Sequence, residues 1–167
     1  MFELKPISPS AIPAALQKAE HYRLLNEPSA AESICLDILE VEPGNQTALV
    51  ILLLARTDQF TETKGAGLAK AKEVLPRLRD EYTRAYYAGV MHERHAKSLL
   101  RAGRPGSPAM AYEAFRTAME EYEKALAHRS GDNDEAALRW NTCARILNES
   151  PHLAPRSEAR YEPILDD

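Results

Sequence analysis

The sequence predicts an all-α protein of stacked helical hairpins, and three observations carry that expectation. Apolar residues recur at helical intervals along almost the whole chain, while no segment shows the alternation of a half-buried strand. Near the start, Ala15, Ala19 and Tyr22, then Ala31, Cys35 and Ile38, set small and apolar residues where two helices can approach closely; Pro43 closes the second run and Asn45 opens a third. Finally, 167 residues with 44% hydrophobic and 28% charged content are enough for one sizeable core, so a single folded domain is expected rather than a disordered chain.

Residues 1–12 read as an extended arm. The first helix is expected over residues 13–26, because Pro13 has the fixed φ suited to a first helical turn and Asn26-Glu27-Pro28-Ser29 makes the turn that follows. The second starts near Ser29, with Glu32 three residues on as its partner in a capping box, and stops before Pro43-Gly44. Asn45 caps the third, whose run from Leu49 to Leu54 is apolar on every side and so requires cover from several helices at the centre of the core.

A fourth helix is expected over residues 62–74, weakened by Gly65 and Gly67 at about 1 kcal/mol each relative to alanine, and ended by Pro76. A long fifth helix begins at Pro76 or Asp80 and reaches residue 101; Ala102 to Pro108 is the clearest loop in the chain. The sixth covers residues 109–128, with Ala111, Phe115, Ala118, Tyr122 and Ala125 on one packing face. Ser130-Gly131-Asp132-Asn133 breaks the chain before a seventh helix over 134–148. Residues 150–167 have too little apolar content for another hairpin and read as an extended tail.

The net charge of −4 is unevenly spread: residues 61–130 are net basic and both flanking parts net acidic. Ordinary solvated helix faces account for this pattern, and the sharper reading is a basic middle that attracts an acidic peptide or the acidic end of another copy. The segment Tyr161 to Asp167, with Ile164 and Leu165 between acidic residues, has the form of such a docking peptide, although a solvated tail explains it as well. The longest apolar stretch, Ala48 to Ala55, is far short of the roughly 20 residues of a membrane span. The prolines and lone lysine of residues 1–13 do not make a secretory signal, so the expected location is cytoplasmic. Cys35 and Cys143 fall at apolar helical positions, which suits reduced core thiols better than a disulfide.

Signals for catalysis are sparse. Gly65 and Gly67 lack the downstream Gly-Lys-Ser/Thr of a phosphate loop, and neither cysteine sits at an electropositive helix start. His92 and His95 lie one turn apart with Glu93 between them, a spacing that holds a metal only with a third ligand from elsewhere, and the HExxH pattern is missing. No cofactor or metal is therefore expected. Tyr82, Tyr86 and Tyr87 lie near Arg84, Arg94 and Arg101, a mixture seen in single-strand binders, but the acidic overall charge and Glu81 and Glu93 count against nucleic acid. Trp140 is expected to pack on the sixth helix; beside Arg139 and Arg145 it is also the best single candidate for an interface anchor.

Taken as units, these segments resemble the tetratricopeptide repeat, a 34-residue helix-turn-helix motif with small and apolar residues at set places and a proline closing its second helix. Residues 12–45 match through Ala15, Ala19, Tyr22, Ala31 and Pro43, with Lys18 where leucine is usual and Cys35 where an aromatic is usual. Residues 46–78 keep Leu49, Leu52, Leu68, Ala71 and Pro76 but have Lys64 at a small-residue position and are one residue short. Residues 82–128 keep Ala85, Ala88, Gly89, Ala111, Phe115 and Ala118 with longer helices and a longer loop, and the seventh helix corresponds to the solitary cap of such arrays.

The resemblance implies a right-handed α-solenoid over residues 13–149 with a groove lined by the first helix of each unit. By position, that groove presents Glu20 and Arg23, then Val50 and Leu54, then Tyr86, Val90, Glu93, Arg94 and Lys97, and finally Arg139, Thr142 and Arg145. Leu16 and Glu20 replace the first two members of the lysine and asparagine set that clamps a C-terminal carboxylate in some family members, so a chaperone-tail receptor is not expected. The function that follows is a non-catalytic protein-interaction module or assembly adaptor for a protein or peptide partner, with self-association through the convex face as another use of the same architecture. From a different class comes a binder of small or anionic ligands, an enzyme included, centred on His92, Glu93, His95 and nearby arginines.

Overall fold

Seven α-helices and no strand occur among the residues that the computed structural model describes, 2–61 and 66–153. They are α1 (Ile12–Leu24), α2 (Pro28–Val41), α3 (Gln46–Asp58), α4 (Ala66–Lys72), α5 (Glu81–Ala102), α6 (Ser107–Ala127) and α7 (Glu135–Glu149). Short 3-10 turns at Pro9–Ala11 and Leu75–Arg77 precede α1 and α5. The fold is therefore all-α, as the periodicity predicts.

Local chemistry sets most of the boundaries. Asn26 ends α1 in the left-handed region at φ 60°, and the amides of Asn26 and Glu27 bond back to the carbonyls of Arg23 and Tyr22. This double bond pattern satisfies carbonyls that a helix end otherwise leaves open, and Asn tolerates the conformation better than most residues. Asn45 caps α3 as expected, its Oδ1 accepting from the Ala48 amide at 2.9 Å. Asp80, not Pro76, opens α5: its Oδ2 accepts from both the amide and the hydroxyl of Thr83 at 2.7 Å, while Pro76 lies in the preceding 3-10 turn.

Elsewhere the sequence expectation needs correction. The capping box at Ser29 and Glu32 does not form, because Pro28 already occupies the first turn of α2 and the Glu32 carboxylate instead takes bonds from Arg56 and Gln59 on and just past α3. The fourth helix ends at Lys72, before the expected residue 74, and residues 62–65, where it was expected to start, lie outside the described residues. The Val74 amide bonds to Ala71 rather than to the residue four back, so the helix has tightened before Pro76 stops it. The loop expected from Ala102 to Pro108 is shorter too: Ala102 ends α5, and Ser107 and Pro108 begin α6, since proline is suited to a first helical turn. Beyond α7, Ser150–Leu153 folds back rather than extending, with the Leu153 amide on Ser150 and its side chain buried. The rest of the expected tail lies outside the described residues.

Successive helices pack in pairs, α1 on α2, α2 on α3, α3 on α4, α5 on α6 and α6 on α7. In addition α1 touches α3, α3 touches α5 and α5 touches α7, so the odd-numbered helices meet in series. The core has two main parts. One gathers Ala19, Cys35, Ile38, Leu49, Leu52 and Leu53 with Val74 and Leu78 from the α4–α5 connection. The other gathers Val90, Phe115, Ala118, Tyr122, Ala136 and Cys143 with Leu153. Leu54 and Tyr87 pack against both, and a small third group, Phe60, Ala71 and Met91, sits between α3, α4 and α5. As the apolar run of α3 predicts, that helix is enclosed by α1, α2, α4 and α5. Among the described residues no helix is long and apolar enough to cross a membrane.

Candidate functional site

Where the odd-numbered helices meet, their polar residues pair across the seams. Arg23 from the last turn of α1 donates through Nε to Asp58 Oδ2 at 2.8 Å, at the end of α3. Arg94 of α5 donates to the other oxygen of the same carboxylate and to Thr57 Oγ1 at 2.8 Å. Asp58 thus joins α1, α3 and α5 through both of its oxygens. The three residues are separated by 35 and 36 positions along the chain.

One helical position earlier on α5, Glu93 turns toward α6 and α7. Its side chain is 1% exposed. Lys97 Nζ donates to it at 2.5 Å, Tyr122 Oη at 2.7 Å, and Arg139 Nη1 sits 3.2 Å from both oxygens. Burial by itself raises the Glu93 carboxyl, but the bonds from Lys97 and Tyr122 and the Arg139 charge outweigh it and hold the group below its ordinary range. The same burial, reinforced by the Glu93 charge, pushes the Tyr122 phenol far up, so it remains a donor. Gly89 makes room for this arrangement: a Cβ there would stand 2.4 Å from Tyr122 Cε1, so only glycine lets the ring lie against α5.

Of the candidate site residues, the structure brings Arg23 and Arg94 together on Asp58, and Glu93, Lys97 and Arg139 together around one buried carboxylate. Tyr86 stacks on Tyr82 at 5.9 Å and meets the Tyr122 ring at 6.0 Å. Glu20 is exposed on α1, and Thr142 is exposed with its hydroxyl bonded back to the Leu138 carbonyl at 3.0 Å. Val50 and Leu54 are partly buried in the first core, and Val90 is fully buried in the second. Trp140, half-buried against α6, donates its indole N–H to Glu123 Oε1 at 3.0 Å. Arg139, Trp140 and Arg145 therefore do not form one cluster: the first faces Glu93, the second faces α6, and Arg145 is exposed.

Nor do His92, Glu93 and His95 share a surrounding. His92 lines a cavity of about 550 Å³ with Lys72, Arg84, Glu121 and Lys124, and burial, with Lys72 next, pushes its pKa down to about 4. His95 lies edge-on to Phe60, 5.9 Å between ring centres, and burial also lowers its pKa. Among the described residues no group of three or more His, Cys, Asp or Glu side chains is placed to hold a metal ion. Both cysteines are buried free thiols, each pushed up to about 12 chiefly by burial. Two partners escaped the sequence reading. Asp58 carried no local signal, since its partners lie 35 and 36 positions away, and Tyr122 showed itself as a packing residue without its polar partner.

Comparison with protein-family models, with curated proteins and with solved structures gives no match to this chain.

Proposed function

We propose that this chain is a protein-interaction module of the tetratricopeptide type, an α-solenoid that receives an acidic peptide segment along the meeting edges of its odd-numbered helices. The observation that carries this reading is a surplus of fixed positive charge. Arg23 of α1, Arg94 and Lys97 of α5 and Arg139 of α7 stand on these helices, and among the described residues the carboxylates bonded to them are those of Asp58 and Glu93. Glu93 is enclosed, whereas the side chains of Lys97 and Arg139 are 39% and 36% exposed. Arginines already held by a carboxylate are preordered, so a second carboxylate from a partner loses less side-chain freedom on binding. The pairing of Arg23 and Arg94 on Asp58 and the serial contact of α1, α3, α5 and α7 support the solenoid reading.

Fluorescence anisotropy with labelled acidic, neutral and basic peptides of equal length tests it. The acidic set is expected to bind with an affinity that falls as salt rises and that weakens in Lys97→Gln, with sedimentation at the same concentrations showing whether the bound species includes a second copy. Equal binding of all three sets, or acidic binding indifferent to Lys97→Gln, overturns the proposal.

A further inference from the structure

A separate cavity of about 420 Å³ opens where the end of α3, α4, α5 and the start of α6 come together. Its walls are of two kinds. Phe60, Leu68, Leu99 and Met110 give an apolar floor, and Arg101 and Arg104 stand at the α5–α6 turn, with no acidic side chain among the described lining residues. Among the described residues Arg101 reaches only the Lys97 carbonyl, at 3.4 Å, and Arg104 has no bonded partner. The turn that carries Arg104 is fixed at both ends by Gly103 and Gly106, at φ 59° and 82°, values that a side chain strains.

The start of α6 adds a further donor. Ser107 is 4% exposed, lines the cavity, and its hydroxyl has no hydrogen-bond partner among the described residues. The hydroxyl is not fully enclosed, so it can donate to whatever occupies the cavity. The neighbouring Ser98 hydroxyl, by contrast, already donates to the His95 carbonyl at 2.8 Å. The first turn of α6, which no side chain caps, adds its own partial positive charge at the same end.

We propose that this cavity binds a small amphipathic anion, a carboxylate or phosphate head joined to an apolar body. The head meets Arg101, Arg104 and the Ser107 hydroxyl, and the body lies on Phe60, Leu68, Leu99 and Met110. Two guanidinium groups without a carboxylate partner suit an oxyanion better than a neutral polar head, and the volume falls within the roughly 300–1,000 Å³ of small-molecule sites. The site shares no residue with the charged line of the odd-numbered helices, and the two proposals stand or fall separately.

Calorimetric titration of the full chain with monomeric dodecanoate and dodecyl phosphate, and with dodecanol and inorganic phosphate as half-molecules, tests the proposal. Saturable binding of both amphiphiles is expected, with each half-molecule weaker by about tenfold or more. Arg104→Gln, which breaks no bond to a described residue, is expected to weaken the amphiphiles several-fold and the Arg101→Gln, Arg104→Gln pair about tenfold, at unchanged melting temperature. Ser107→Ala is expected to weaken them without altering dodecanol. Equal binding of dodecanol and dodecanoate, undiminished binding by the paired variant, or attachment to anionic vesicles without binding of the monomeric amphiphiles would each overturn it.

Discussion

Glu93 links three helices through one enclosed carboxylate, and its removal tests how much of the second half depends on that link. Glu93→Gln keeps the shape but leaves Arg139 and Lys97 without their charge partner. A loss of about 1–3 kcal/mol in urea unfolding is expected, and Arg139→Met then costs less on top of Glu93→Gln than in the wild type. Because the folded carboxyl is held below its unfolded range, its contribution is present above that range and disappears as pH falls through the lowered folded value. His92 acts in a different window. Its folded pKa is about 4 against an ordinary 6.5, so between those values the unfolded chain binds the extra proton and stability declines as pH falls. Melting temperatures from pH 7.5 to 4.5 are expected to fall less in His92→Gln than in the wild type. At Gly89, the predicted effect is steric: Gly89→Ala sets a methyl 2.4 Å from the Tyr122 ring and is expected to cost about 1–3 kcal/mol in the same denaturation assay, despite alanine's better helix propensity.

At the level of helices, the caps were legible and the partners were not. Asn45 and Asp80 bond to amides three residues ahead, a range that a local pattern reveals. Asp80→Ala is expected to lower stability by about 1 kcal/mol in thermal unfolding, by freeing the Thr83 amide and hydroxyl at the start of the longest helix. Ser29 and Glu32 have the same local form, yet Glu32 is drawn to Arg56, 24 residues away, a competition that short-range spacing does not contain. The candidate site shows the same division. Arg23, Glu93, Arg94, Lys97 and Arg139 were legible as polar positions on the odd-numbered helices; what lay hidden was that Asp58 of α3 takes Arg23 and Arg94 and that Tyr122 of α6 bonds the enclosed Glu93. The fourth helix was legible in its existence but not in its end, which comes at Lys72 before the 3-10 turn that holds Pro76.

Across the whole molecule, the all-α class and the order of the helices follow from periodicity, whereas the division of the core does not, because it depends on how few residues bridge α3 and α5. Two apolar groups lie on either side of that junction, with Leu54 and Tyr87 touching both and Phe60, Ala71 and Met91 beside them. Polar pairing of Asp58 with Arg94 also spans it. Pulled from its two ends, such a chain is loaded in series, and the junction is the narrowest member to bear the tension. Optical-trap extension is expected to show two rips, with α5 to α7 and α1 to α3 giving way separately; Met91→Ala lowers the force at which they part, and a single rip in every trace contradicts this. In mechanical terms the divided core is a fuse, a place where strain is released before either half loses its shape.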